Sequence, residues 1–303
     1  MRNKKTGLRT IFSLSDKNPI LPWLFLLPFL FFFLAFMVYP MIQGLYISFT
    51  NYTLLSEKAS FVGLRNYQNF LRPGDLFLIS LGNTFKYVAL ALPILLGIGL
   101  LTAVVVNAPI KGRMLFRTAL SAPFVINVAS VALLWTWILD REIGLVNYYF
   151  QRIGLPKQEW IYHPFSAMMV IVMVSLWGGL GSIMLTFLAG LQDIPQEFYE
   201  AAIIDGANKW NLFRYITIPL LKPILLFVGV SQVVAGFQVF GQVVLITGGG
   251  PGYSTRVAMQ HLYEVGFSWF RLGEAAALSW VLFLIIMIFT IIQFRYLSGR
   301  VEY

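Results

Sequence analysis

Six stretches of this sequence are apolar over about 20 residues or more, the length a helix needs to cross the hydrocarbon core of a bilayer. They run over Ile20–Gln43, Asn83–Val106, Ala119–Leu139, Phe165–Leu191, Leu220–Ile246 and Glu274–Leu297. Within their end residues the charges are Lys86 and Lys222, each near the start of its stretch, and Arg295, near the end of the sixth. Side chains of that length reach a headgroup from such positions. A charge at a helix centre costs about 2.5–3.5 kcal/mol, while each Leu or Phe returns only about 0.3–0.6 kcal/mol. One central charge would therefore cancel several large apolar side chains, and none is present. Composition agrees: 58% of the 303 residues are hydrophobic and 12% are charged, against about 25% charged in a soluble domain. The expected fold class is an all-α polytopic membrane protein with six transmembrane helices. It divides into an N-terminal segment 1–19, a first transmembrane helix 20–43, an external loop 44–82, a core 83–297 and a tail 298–303.

The absence of cysteine excludes disulfide frameworks, cysteine-held zinc, iron–sulfur clusters and thiol nucleophiles. Two histidines, His163 and His261, cannot form a multi-histidine metal site, so no metal is expected. A net charge of +9 would suggest nucleic acid in a soluble protein; in a membrane chain its distribution across the bilayer matters more, and no nucleic-acid partner is expected. With the amino terminus inside, 13 Lys and Arg fall on inner segments and nine on outer ones, and the inner clusters are the denser. Six crossings then put both termini on the cytoplasmic side. The first apolar run is too long for the core of a signal peptide and lacks a small-x-small cleavage site, so it is expected to stay as an anchor. Pro28, Pro93 and Pro123 lie inside spans, where neighbouring helices satisfy the freed carbonyls. Gly97, Gly99, Gly178, Gly179, Gly181 and Gly236 permit close helix contacts or the approach of a ligand.

The inner loop between the fourth and fifth spans, 192–221, reads QDIPQEFYEAAIIDGANKWNLFRYITIPLL and is too polar for lipid. Asp193 and Gln196 have capping-box spacing with Pro195 in the first turn, which predicts a helix from about Ile194. Glu197 and Glu200 sit near its amino end, where the dipole favours acids. Gly206 predicts its end near Asp205. A second short helix should carry Trp210, Phe213 and Ile216 on one face and close at Pro219. The loop thus reads as a helix–glycine–helix elbow, either a docking surface for another protein or an amphipathic elbow lying on the membrane.

Glu200, Ala201, Ala202, Gly206, Ile216, Ile218 and Pro219 resemble the EAA motif of importer-type ABC permeases, in which EAA is followed after three residues by Gly and after nine more by Ile-x-Leu-Pro. Ile218 stands here in place of the Leu. Further text is similar to the sugar-permease branch related to maltose and glycerol-phosphate uptake: Tyr39-Pro40, Phe61-Val62-Gly63-Leu64, Gly112 with Phe116-Arg117, and Gly248-Gly249-Gly250-Pro251. The resemblance implies the type I ABC importer permease fold, with the elbow as a cytoplasmic coupling helix in a bacterial inner membrane. Glu200, Ala201, Ala202, Asp205 and Gly206 would dock on an ATPase, and Ile216, Ile218 and Pro219 would tie the elbow to the fifth span. The implied partners are a second homologous permease, two copies of an ABC ATPase that hold the ATP and magnesium, an extracytoplasmic solute-binding protein and a sugar. This chain itself is expected to bind no cofactor and to catalyse no reaction.

No Gly-x-x-x-x-Gly-Lys-Ser/Thr phosphate loop occurs. The run from Gly248 to Thr255 lacks the lysine, falls outside by topology and reads as a tight turn. A substrate pathway should use the polar and aromatic side chains within spans: Asn127, Ser130, Ser175, Ser182, Gln232, Gln238 and Gln242, with Trp177, Phe237 and Phe240 for stacking. Gln232, Gly236 and Val239 share one helical face; Gln238 and Gln242 share another. The resemblance implies ligand contacts at positions matching Ser175, Gly179, Ser182, Gln232, Gly236 and Val239. Interhelical hydrogen bonding is the alternative role for each glutamine. External loop charges, among them Asp75, Asp140, Arg141, Glu142, Glu159, Arg256, Glu264 and Arg271, would either receive the binding protein or remain solvated. A secondary transporter would need acids deep in the spans or inverted repeats, an enzyme a cluster of catalytic groups; neither is evident. A stand-alone channel would have no use for the elbow.

Overall fold

A computed structural model describes residues 21–55, 59–72 and 74–297. The basic N-terminal segment 1–19, the expected span start at Ile20, Lys58 and the tail 298–303 lie outside the described residues. Helices α1 (Leu21–Phe33) and α2 (Tyr39–Ser48) are continuous through a π turn at Leu34–Val38. There follow α3 (Arg65–Asn69), α4 (Leu76–Asn107), α5 (Arg113–Ser121), α6 (Val128–Ile138), α7 (Leu145–Arg152) and α8 (Pro164–Gln192). The second half holds α9 (Gln196–Ile204), α10 (Lys209–Asn211), α11 (Ile218–Leu220), α12 (Lys222–Phe237), α13 (Gly241–Ile246), α14 (Ala258–Tyr263) and α15 (Leu272–Leu297). Among the described residues the only β feature is an isolated bridge between Thr50 and Phe61.

Among the described residues four helices are long and apolar enough to cross a membrane: Trp23–Ser48, Leu76–Asn107, Pro164–Gln192 and Leu272–Tyr296. Two more candidates are bent pairs, Arg113–Val125 with Val128–Ile138 at 101° and Lys209–Leu220 with Lys222–Phe237 at 67°. The hydropathy pattern places spans at 119–139 and 220–246; in the structure both are broken. In the third, Pro123 falls in a 3₁₀ turn (Ala122–Val125), and Asn127 takes an extended ψ of 136° and caps α6. In the fifth, Leu221 makes the first bend, and a second break at Gln238–Phe240, between Gly236 and Gly241, separates α12 from α13. The outer bounds of the first two spans also move. The first runs on to Ser48, beyond Gln43, and the second begins at Leu76 because Asp75 accepts the Phe77 N–H at 2.8 Å as its N-cap. Hydropathy marks where lipid ends; a capped helix continues past it.

The core lies where α4 and α8 pack along one another, with α12 on α4 and α15 on α12. Phe77, Ile171, Met184, Phe187, Leu221 and Phe237 are fully enclosed there. Small residues set the approach distances. A Cβ on Gly181 would stand 2.5 Å from the Ser121 Cα and 2.7 Å from the Leu120 carbonyl oxygen, and one on Gly99 2.4 Å from Ile183. Gly97 and Gly178, by contrast, have nothing within 4 Å. The first helix is different again: none of its most apolar window is buried within the chain, leaving most of its surface for lipid or a second chain. Its outer half, α2, packs along α15, and the chain is fastened further just beyond Ser48. There Asn66 Nδ2 donates to the Ser48 and Thr50 carbonyls, both at 2.8 Å, and Gly273 N–H donates to the Tyr52 carbonyl at 2.9 Å.

Candidate functional site

The two broken helices meet at one place. Pro123, Phe124 and Ile126 before α6, and Gln238, Val239 and Phe240 before α13, line a cavity of about 430 Å³. Its remaining walls come from Tyr87, Ala91 and Leu95 of α4, Ser175, Gly178 and Gly179 of α8, and Gln232 and Gly236 of α12. These residues lie near the middle of the 32-residue α4 and the 29-residue α8, which sets the cavity at mid-depth of the bundle. Gly241 makes the junction possible: a Cβ there would come 2.6 Å from Val128 at the start of α6. Helix breaks at membrane depth are tolerated where the freed backbone is buried in protein or lines a cavity.

Of the expected pathway residues, Ser175, Gly179, Gln232, Gly236, Gln238, Val239 and Gln242 line this cavity, as does Phe240. The faces predicted for a continuous fifth helix do not survive the break at Gln238; residues from both meet on the cavity because the chain turns there. Five other candidates lie elsewhere. Trp177 packs edge-on against Trp135, with ring centroids 5.8 Å apart. Phe237 is fully buried between Phe85 and Phe289, at 5.2 and 5.4 Å. Ser182 returns its hydroxyl to the Gly179 carbonyl at 2.9 Å. Asn127 is spent on the α6 cap, accepting the Ala129 N–H at 2.8 Å, and Ser130 does not reach the cavity wall. Tyr87 was not among the candidates; its hydroxyl donates to Ser175 Oγ at 2.8 Å across α4 and α8. The polar positions Ser80, Asn83, Thr84 and Tyr87 recur at helical spacing in the sequence, and that pattern carried the missing signal. No Lys, Arg, His, Asp or Glu belongs to the lining.

On the other side of α8 the chain leaves the bundle as an elbow. Asp193 ends α8 rather than capping α9, and Pro195 occupies the N-cap without a side-chain bond; α9 therefore starts at Gln196, two residues later than the capping-box spacing predicts. Gln196 instead uses its side-chain amide on Glu200 Oε1 at 2.8 Å. The end is as the glycine implies: Gly206 has φ +83°, Gly206 N–H donates to Ile203 at 3.0 Å, and Ala207 N–H to Ala202 at 2.9 Å. These two bonds form a Schellman closure. No residue of α9 is buried, and Ile203 and Ile204 are 56% and 85% exposed. Glu200, Ala201, Asp205 and Gly206 are exposed and Ala202 partly covered. The return limb runs from α10 through a π turn (Leu212–Thr217) and past Pro219 to Leu220. It keeps Trp210 against Phe213 at 5.9 Å, and Tyr199 shares a 3.1 Å hydrogen bond with Thr217. Ile216, Ile218 and Pro219 are partly buried there, beside Leu221 and Ile224, which close on Gly190.

The external charges are mostly paired with one another. Arg141 bridges Glu142 and Glu159, and Lys157 meets Glu142 at 2.5 Å. Backbone N–H groups of Ile143 and Glu142 hold the Asp140 carboxyl below its ordinary range, and Lys157 does the same for Glu142. Arg256 is buried and ion-paired with Glu264, and Arg271 pairs with Glu274. His261 lies beside Arg256, and burial, then that guanidinium, pushes its pKa down to about 4. The glycine run makes the expected turn, with Gly250 N–H on the Thr247 carbonyl at 3.0 Å and Gln260 holding the Gly248 carbonyl.

Residues 94–303 match the family described as binding-protein-dependent transport system inner membrane component. The chain is 36% identical over 292 residues to the arabinooligosaccharides transport system permease protein AraP of Halalkalibacterium halodurans, covering 95% of this chain and 91% of that one. It is 32% identical to the sn-glycerol-3-phosphate transport system permease protein UgpA of Agrobacterium fabrum, over 94% and 97% of the two chains. Among solved structures, a bacterial ABC transporter involved in import of the acidic polysaccharide alginate superposes with a TM-score of 0.82 at 22% identity, covering 97% of this chain and 100% of that one. At that identity the likeness concerns the fold.

Proposed function

Because the chain belongs to the family of binding-protein-dependent transport system inner membrane components, we propose that it is the permease subunit of an ATP-driven importer for a sugar or related carbohydrate. The family is a transport permease, not an enzyme. The energy source is a separate ATPase, which holds the ATP and magnesium in two copies. This chain pairs with a second homologous permease, and an extracytoplasmic solute-binding protein delivers the cargo. Both termini and the elbow face the cytoplasm.

The observation that carries the reading is the exposed elbow. A nine-residue helix with no fully buried side chain, closed at Gly206 and anchored through Tyr199 and Thr217, has its apolar Ile203 and Ile204 free for another protein. Docking there, with Glu200, Ala201, Ala202, Asp205 and Gly206 on the contact face, lets closure of the ATPase dimer push on α9. Ile216, Ile218 and Pro219 pass the push into α12, whose far end borders the cavity. The two broken spans supply the moving wall: their junction at Val128 and Gly241 is where an inward-open cavity turns outward-open. Ser175, Gln232, Gln238 and Gln242 offer hydroxyl and amide partners to the cargo, and Gly179, Gly236 and Val239 leave it room. Trp177, Ser182 and Phe237 act at most through packing behind that wall.

A secondary transporter is the rival, and the cavity gives it no acidic, basic or histidine side chain through which to couple an ion. Purification under mild detergent tests the choice. A permease subunit copurifies with an ATPase, and uptake in proteoliposomes stops without ATP; uptake driven by an ion gradient alone contradicts the proposal. Within the importer, Gln232→Ala and Gln238→Ala should shift the substrate dependence of stimulated ATPase activity. An unchanged dependence in both removes them from the site.

A further inference from the structure

Resting on the importer reading, we infer that the cavity formed by the two helix breaks admits uncharged saccharides and excludes carboxylated and phosphorylated ones. Sequence kinship alone leaves this open, since one relative is named for arabinooligosaccharides, another for sn-glycerol 3-phosphate. The lining decides it. Its polar side chains are the carboxamides of Gln232, Gln238 and Gln242 and the hydroxyls of Tyr87 and Ser175. Each carboxamide both donates and accepts, as each sugar hydroxyl does. The other side chains of the wall are apolar and include the aromatic residues Phe124 and Phe240.

An ionised carboxylate or phosphate brought into this space loses its hydration and needs a cation or a set of free N–H donors in return. No cationic side chain lines the cavity. Lys86, next to Tyr87 in sequence, is exposed and turned away from the lining. The amino ends of α6 and of the six-residue α13 both open on the cavity; Asn127 Oδ1 already takes the Ala129 N–H at 2.8 Å, and neither end brings a cationic side chain to offset a full negative charge.

The test uses ATP-loaded proteoliposomes carrying the whole importer and its binding protein. They are offered arabinotriose, maltotriose and trehalose against alginate trisaccharide and glycerol 3-phosphate. A neutral compound should be carried best, ahead of each anion by at least tenfold. Gln238→Lys and Gln232→Lys, checked for assembly with the ATPase, should each lower neutral uptake at least tenfold and raise the ratio of anionic to neutral uptake. An anion carried best by the unaltered importer overturns the inference and leaves the importer role standing. An unchanged ratio in both lysine variants also overturns it. Silence toward the whole panel, with ATPase activity still stimulated by the binding protein, overturns the carbohydrate reading and this inference with it.

Discussion

Gly206 gives the coupling proposal its sharpest test. With φ at +83° it sits where an L-residue is disfavoured by about 1–2 kcal/mol. A Cβ at this position would meet nothing within 4 Å, so no clash adds to that figure and the penalty is purely conformational. The helix it closes has no fully buried side chain and is tied to the return limb by Tyr199, so its carboxyl end has little to hold it in shape once the bonds to Ile203 and Ala202 open. One to two kcal/mol corresponds to about a 5–30-fold fall in the population with the elbow closed. For Gly206→Val, uptake per ATP hydrolysed should fall by about that factor, while the protein still inserts and assembles. Gly206→Asn should stay within a few-fold, because Asn tolerates the left-handed region, and Gly206→Ala should lie between them. Uptake and ATP hydrolysis measured on the same proteoliposomes give the ratio directly. A Val variant with an unaltered ratio, or an Asn variant as damaged as Val, would refute the reasoning.

Two further outcomes follow from packing and charge. Gly181→Leu forces a side chain against the backbone of Leu120 and Ser121, so the inner limb of the third span must move; melting in detergent should fall by the equivalent of about 1–3 kcal/mol or more, whereas Gly178→Ala, with open space around it, should be near neutral. His261, held at a pKa of about 4 against an ordinary 6.5, takes up its proton more readily in the unfolded chain. Its share of stability is therefore present at neutral pH and lost as the pH falls from about 6.5 toward 4, by on the order of 3 kcal/mol. Melting curves across that window should flatten in His261→Phe, which keeps aromatic contact with Phe77 and Trp269; an equally steep slope in the variant would refute the assignment to His261.

Hydropathy placed the apolar segments because lipid imposes one requirement on every residue of a span. It could not locate the breaks at Asn127 and Gln238, since those residues are neutral and their turns are held by neighbours from distant parts of the chain, Val128 against Gly241 above all. The cavity was legible in part for the same reason. Ser175, Gln232, Gln238 and Gln242 stand out as polar residues in apolar text, but Trp177 and Phe237 carry the same chemical invitation and are turned into the core. Tyr87 went unread because a single phenol in a span looks like packing until Ser175 is placed opposite it. At the elbow, Gly206 spoke clearly, since few residues accept its backbone angle, while Asp193 misled: the residue with capping chemistry closes α8 instead of opening α9.

The most direct measurement exploits the absence of native cysteine. A single cysteine at Ala201, on the outer face of α9, is probed in intact cells with a membrane-impermeant thiol reagent, in inverted vesicles with the same reagent, and in the assembled importer with a short bifunctional crosslinker. The account predicts labelling in inverted vesicles alone, protection by the ATPase, and a crosslink to that subunit. Labelling from the external side of intact cells would contradict it outright.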